Sequence, residues 1–439
     1  MKRLVTVFFL FLLGQAVGLG QQPEEQPAIQ GFVTRSTSAS DFDANAVHVL
    51  CGPETFSLAP GAQEAWSGCP AQQPFVGEPI TVYGQRAKDH TTVTATRIEL
   101  KVPEWKEASG SAVIDAAPVR NGPLVPPGGM LLRADGYWIL VPARAKISSA
   151  PPVLSANDVQ PNLWLDYKAK ARRDGVLVAE SARFMPIVTS PAEEKLRAKV
   201  DYDPAEASKA DRQSAFMAGL AGIDFKRIPP WDDKTMQSRV AAIGARLIPA
   251  YQKALPPSAP AKIDFRFEVV DANWGLCPLA LPNGYILVPY KAVERMENDD
   301  QLAALLAEPI ATLLERQVYR IRNTLRILSA GGLASDAATF IPGVGGLAAW
   351  AGSEAFGTGE AAVILKEMAQ AARVSLDLTH DAGFDVRQAP LAWWLLASRT
   401  RKPITDIYLP WESATLYQTI GKVWREPPIN AISSERAQR

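Results

Sequence analysis

Around residues 186–191 the hydrophobic period of this chain changes, and that change demands two kinds of architecture in one polypeptide. Upstream, short runs of β-branched and aromatic residues are cut by Gly, Pro, Asn and Asp. Examples are Val47-His48-Val49-Leu50, Ile80-Thr81-Val82-Tyr83, Thr92 through Leu100, and Tyr137-Trp138-Ile139-Leu140-Val141. Such runs read as strands, in which successive side chains point to opposite faces. Downstream, apolar residues return every three or four positions. Val240, Ile243, Leu247 and Tyr251 share one face of a helix. The 35 prolines in 439 residues, about 8% against roughly 5% on average, call for many loops and edge strands.

The strand-rich region carries a weak repeat. Gly77-Glu78-Pro79-Ile80-Thr81-Val82-Tyr83 leads through a charged turn to Thr92–Leu100, and Val159-Gln160-Pro161-Asn162-Leu163-Trp164-Leu165 leads in the same way to 175–184. Each copy has a proline-started strand, a turn and a second strand. We expect two small β-barrel-like, OB-like modules, over residues 30–105 and 108–188. A mainly helical domain over 192–425 follows, with one short sheet signal: residues 265–271 alternate, and Tyr285–Pro289 follows the turn Pro282-Asn283-Gly284. Residues 426–439 form a polar tail. The expected fold class is therefore α+β.

Composition narrows the functions. Lys plus Arg and Asp plus Glu are 46 each, so no long-range field recruits nucleic acid, and no nucleic-acid partner is expected. Nucleic-acid or sugar binding by the β-modules stays as an alternative. With only His48, His90 and His380 present, no cluster of imidazoles is available beyond these three. Lys2 and Arg3 precede an apolar run at 4–13, then small residues, then the polar Gln21-Gln22-Pro23-Glu24. This pattern reads as a signal peptide over residues 1–20, implying export to the periplasm or cell envelope. In an oxidising compartment Cys51 and Cys69 would close a loop of about 19 residues, the alternative being three separate buried thiols with Cys277.

The helical region has a recognisable order. A strand at 265–271 passes through Cys277-Pro278-Leu279-Ala280-Leu281-Pro282-Asn283-Gly284 into Tyr285–Pro289. An acidic entry, Asn298-Asp299-Asp300-Gln301-Leu302-Ala303, then opens a helix containing Ala307-Glu308-Pro309-Ile310-Ala311. Ala382-Gly383-Phe384-Asp385 follows later. This order resembles the HtpX, Oma and CAAX-prenyl-protease family of zinc metallopeptidases over about residues 199–424, roughly half of the chain. The resemblance implies a gluzincin-type site in which H-E-x-x-H places two histidines on one helical face, with a glutamate as general base.

At the positions carried over, that chemistry is missing. Both histidine positions are alanine, Ala307 and Ala311, and a methyl group has no lone pair. Glu308 is a remnant without a metal-acidified water to deprotonate. Family spacing puts the third ligand at Met368 and its aspartate partner at Ala372, with Glu367 one residue out of register. Cys277 stands where the family has an asparagine, and the late His-Pro segment has become Leu409-Pro410-Trp411-Glu412. No cofactor is expected, the ancestral zinc having been lost. Pro309 predicts a kink in the old active-site helix. His380 is expected to cap a helix end, and a thiol-hydrolase grouping of Cys277, Glu308 and His380 is the remote alternative.

Two function classes follow. The first is a pseudopeptidase that binds an envelope protein or an extended peptide along an edge strand at Tyr285, Ile286, Leu287 and Val288. The second is a metalloendopeptidase or other hydrolase with a rebuilt site. The uncharged run at 337–352 suggests peripheral membrane contact, or else a packed helical hairpin.

Overall fold

A computed structural model describes residues 26–60, 64–101, 107–151, 155–172, 175–199, 202, 204, 228–272, 276–317, 319–320, 359–397 and 410–424. The expected signal peptide, the apolar run at 337–352 and the polar tail lie outside the described residues. The protein is α+β, with a five-strand closed barrel in its N-terminal half.

That barrel is built from β1 (Ile29–Ser36), β2 (Phe42–Ala44), β3 (Val47–Leu50), β6 (Pro79–Arg86) and β7 (Thr92–Leu100). β1 lies antiparallel to both β2 and β6, and β3 closes the ring by pairing in parallel with β7. Alternate side chains point inward, so Ile29, Val33, Phe42, Val47, Val49, Ile80, Val82, Val93 and Ile98 form one core. Two short strands, β4 (Phe56–Leu58) and β5 (Trp66–Ser67), extend the sheet beyond β7. Cys51, just after β3, is joined to Cys69, just after β5, in a disulfide with Cα atoms 5.3 Å apart. The bridge ties down this flap. Replacing both cysteines by serine is expected to lower stability by about 3 kcal/mol, read as a shift in the urea midpoint.

A second ring repeats the same connections with β8 (Glu107–Val113), β9 (Met130–Ala134), β10 (Tyr137–Val141), β12 (Leu163–Ala171) and β13 (Leu177–Pro186). β10 and β13 form its parallel pair, and a bridge from Ile114 to Ala134 closes it. The hairpin β6–β7 and the hairpin β12–β13 occupy equivalent places in the two rings. The sequence repeat thus marks the last two strands of each. An extra strand, β11 (Lys146–Ser149), runs parallel to β13 on the outside.

The helical part begins with α1 (Pro191–Lys199) and α2 (Lys234–Leu247), the latter capped by the Asp233 carboxylate, which accepts from Met236 N at 3.0 Å. After α3 (Ala250–Ala254) comes a three-stranded sheet of β14 (Arg266–Val270), β15 (Leu279–Ala280) and β16 (Tyr285–Pro289). α4 (Tyr290–Val293) and α5 (Asp299–Leu314) follow, then α6 (Gly359–Asp381), α7 (Ala389–Ala397) and α8 (Trp411–Val423). Every residue of α5 from Gln301 to Leu314 is buried, so this helix is the axis of the core, with α2, α6 and α7 packed around it. The helix continues without interruption through Pro309.

One expectation is corrected here. Tyr285, Ile286, Leu287 and Val288 do not form an edge. β16 is the central strand, parallel to β14 along its length and antiparallel to β15 through Leu279↔Leu287 and Ala280↔Ile286. The chain doubles back through the turn before Gly284, and Leu281 N donates to Tyr285 O at 2.8 Å, which fills the side expected to be open. The outer side of β14 is also taken. Trp231 N and Gln237 Nε2 both donate to Val269 O at 2.8 Å, and Gln237 Oε1 accepts from Val269 N at 2.9 Å.

The second barrel sits on α6 through buried charge. Arg133 Nε donates to Asp115 Oδ1 at 2.7 Å and its Nη1 to Asp381 Oδ1 at 2.9 Å, with Asp377 Oδ2 3.7 Å away. Beside it, Arg373 pairs with Asp135, which also accepts from Tyr167 OH at 2.6 Å. The β9–β10 turn passes so close to α6 that a Cβ on Gly136, at φ +70°, would lie 2.4 Å from Arg373 Cβ. Farther along, the Glu315 carboxylate accepts from Val113 N at 3.0 Å.

Candidate functional site

Asn298 starts α5: its side chain accepts from Gln301 N at 2.8 Å, with Asp299 and Asp300 favourably placed in the first turn. The helix then carries Ala307, Glu308 and Ala311 into the middle of the core. Ala307 and Ala311, four residues apart on one face, are both fully buried, as is Ala372 on α6. All three belong to the same apolar cluster, and Met368 is buried as well. Hydrocarbon packing therefore occupies the positions that the resemblance would assign to zinc ligands. A zinc ion needs deprotonated nitrogen, sulfur or oxygen donors, and this set does not fit one. Among the described residues, no group of three or more His, Cys, Asp or Glu side chains comes together to hold a metal ion.

Glu308 is the chemically unusual residue of this helix. Its side chain is buried and Oε2 has no hydrogen-bond partner. Burial, helped by the nearby charge of Glu412, pushes its carboxyl up to about 8. At neutral pH it is mainly a neutral acid. Glu412, in the first turn of α8, is likewise raised by burial. The buried Cys277 thiol is pushed well up by burial and then by the charges of Glu412 and Glu308. The core thus brings Cys277, Glu308 and Glu412 within electrostatic reach of one another, with all three groups raised by burial. A thiol held protonated is a poor nucleophile.

The other residues singled out from the sequence lie elsewhere. Glu367 forms an ion pair with Arg320 at 2.5 Å, on the side where α6 meets the second barrel. His380 occupies the last turn of α6, 3.4 Å from Asp381, with its ring against Trp424. That end of the helix favours a cation. His48 Nδ1 lies 2.9 Å from Asp43 on the first barrel, and His90 sits at φ +60° in the turn between β6 and β7.

Sequence reasoning missed the charged seam between the second barrel and α6. A local signal was present: Arg373, Asp377 and Asp381 recur every four residues along a helix that also carries the apolar Ala372, Val374, Leu376 and Leu378. A stripe of that kind on a packed helix means that its partners come from another element. Asp115, Arg133 and Asp135, more than two hundred residues away, supply them.

Among the described residues, no helix is long and apolar enough to cross a membrane. No protein-family model matches the chain. No curated protein matches it either.

Proposed function

We propose that the chain is an exported pseudopeptidase: a metallopeptidase-like helical domain of HtpX, Oma and CAAX-prenyl-protease type, joined to two OB-like modules, that binds an envelope protein or extended peptide without cutting it. The OB-like assignment draws on the shared ring order of both barrels, in which the third and fifth strands pair in parallel. The functional reading rests on one observation above all. The i and i+4 positions of the old motif, Ala307 and Ala311, are methyl groups sealed in the core, next to a glutamate that is itself a neutral acid. Among the described residues of the three-stranded sheet, strand addition by a peptide would have the short outer strand β15, Leu279–Ala280, to pair with. Recognition must therefore draw mostly on side chains and on the barrels.

Metal content and casein cleavage by the purified mature protein test this. The expected result is no stoichiometric zinc and no chelator-sensitive turnover. Zinc bound one to one, with activity lost to a chelator, overturns it. One observation favours a second reading, a hydrolase with a rebuilt site: a buried carboxyl raised to about 8, with an unpartnered oxygen, is the kind of group that acts as a general acid. Turnover that survives chelation but vanishes in Glu308→Gln would select that reading.

A further inference from the structure

A cleft of about 520 Å³ opens between the second barrel and the helical part, a volume suited to a small-molecule or short-chain ligand. Its floor is the outer face of four adjacent strands, β8, β12, β13 and β11. Their register aligns two rows across the sheet. One row runs Lys146, Ser181, Lys168, Ser109, and the next runs Ser148, Arg183, Asp166, Ser111. Charge and hydroxyl alternate along the first row, while in the second Arg183 and Asp166 lie side by side between two serines. These residues share one face because every second residue of a strand points to the same side. Arg320 and Lys366 stand over the floor from the helical part. Adjacent strands are about 4.8 Å apart, so Lys146 and Lys168, two strands apart, are separated by about 10 Å, far enough to hold separate anionic groups.

We infer that this cleft binds an acidic saccharide, a sugar chain bearing carboxylate or phosphate groups beside free hydroxyls. Five cationic side chains against one lining carboxylate set the sign of the ligand. Among the described residues, Lys146, Arg183 and Lys366 have no ion-pair partner within the protein, so their charge faces the cleft uncompensated. Asp166 decides between kinds of anion. It lies opposite Arg183 and accepts from Ser111 Oγ at 2.5 Å, leaving acceptor capacity directed into the floor. A dense polyphosphate would set an oxyanion against it. A sugar hydroxyl instead donates to it, while the lysines and Arg183 take the sparser acidic groups. Among the described residues lining the cleft, no open aromatic platform is present for stacked bases. Tyr167 is buried with its hydroxyl tied to Asp135, and the neighbouring Trp164 is covered by the Arg320 guanidinium at 5.5 Å. The inference draws on the second barrel and two basic residues, and stands whether or not the peptidase-like reading does.

Titration of the full mature chain tests it, with trigalacturonate as the carboxylate arm, glucose 6-phosphate as the phosphate arm, and maltotriose, pyrophosphate and a single-stranded oligonucleotide as comparisons. Binding to either acidic sugar, weakening as salt rises and absent for maltotriose, is the expected result. Lys146→Ala and Arg183→Ala, both at exposed positions, should each weaken it about tenfold with an unchanged circular dichroism spectrum. Asp166→Asn should weaken the sugar while tightening pyrophosphate. The proposal is overturned if neither acidic sugar binds. It is equally overturned if maltotriose, pyrophosphate or the oligonucleotide binds as well as the acidic sugars, or if the Lys146 and Arg183 variants bind undiminished.

Discussion

Arg133→Ala is expected to cost about 3–5 kcal/mol of folding stability at pH 7, as a buried guanidinium removed from its carboxylates leaves them uncompensated. Arg133 is 5% exposed and is shared by Asp115, Asp377 and Asp381. Burial raises the carboxyls of Asp115 and Asp377, while the Arg133 guanidinium and His380 hold Asp381 below its usual range. A carboxyl raised in the folded state contributes stability that is greatest in acid and is lost as pH rises through its folded value. Without Arg133 that dependence steepens. The deficit of the variant should therefore shrink from pH 7 towards pH 4, where the orphaned aspartates can take up protons. Urea unfolding across that range measures it. Combining Arg133→Met with Asp115→Asn and Asp377→Asn, which removes the charges together, should recover much of the loss. A deficit below about 1 kcal/mol at pH 7 would mean that the seam does not hold the barrel to α6.

Glu308→Gln works in the opposite direction. With its carboxyl raised from 4.5 to about 8, wild-type folding retains a proton that the unfolded chain releases. The cost of that retention grows as pH climbs from 4.5 to 8, reaching on the order of 4 kcal/mol. An amide cannot ionise. At pH 9 Glu308→Gln is expected to be the more stable protein by a few kcal/mol. Near pH 4.5 it should be equal or slightly worse, since the amide adds donors where Oε2 already has no partner. Matched urea titrations of both proteins at pH 5 and pH 9 give the answer. Parallel behaviour at both values would show that Glu308 is ionised and solvated, and the account of this core would fail. In a working zinc peptidase the same substitution would be read first as lost turnover.

Much of this fold was legible because the signals are local. Runs of β-branched and aromatic residues located β3, β6, β7, β10, β12 and β13 but not β1, β2, β8 or β9, and β16 was read from Tyr285 to Pro289 with its observed boundaries. The proline-led repeat identified hairpins that the structure places equivalently, β6–β7 and β12–β13. The helical half announced itself through Val240, Ile243 and Leu247, all of which face the core. The edge position of β16 was misjudged for a physical reason. Whether a strand has a free side depends on which other segment pairs with it, and here the few residues from Leu279 to Leu281 fold back onto it. A two-residue strand carries almost no periodic signal.

The amino-acid order alone establishes that Ala307 and Ala311 have no electron pairs to offer a metal, because donor chemistry belongs to the side chain wherever it is placed. It also establishes the passage from strands to helices, since hydrophobic period is a property of neighbours along the chain. The protonation of Glu308, the sharing of Arg133 among three aspartates and the rows of hydroxyl and charge under the cleft belong to the folded molecule. Each depends on groups far apart in sequence being held a few ångströms from one another, out of water or across a strand register, and the free energy of a charge is set by those neighbours.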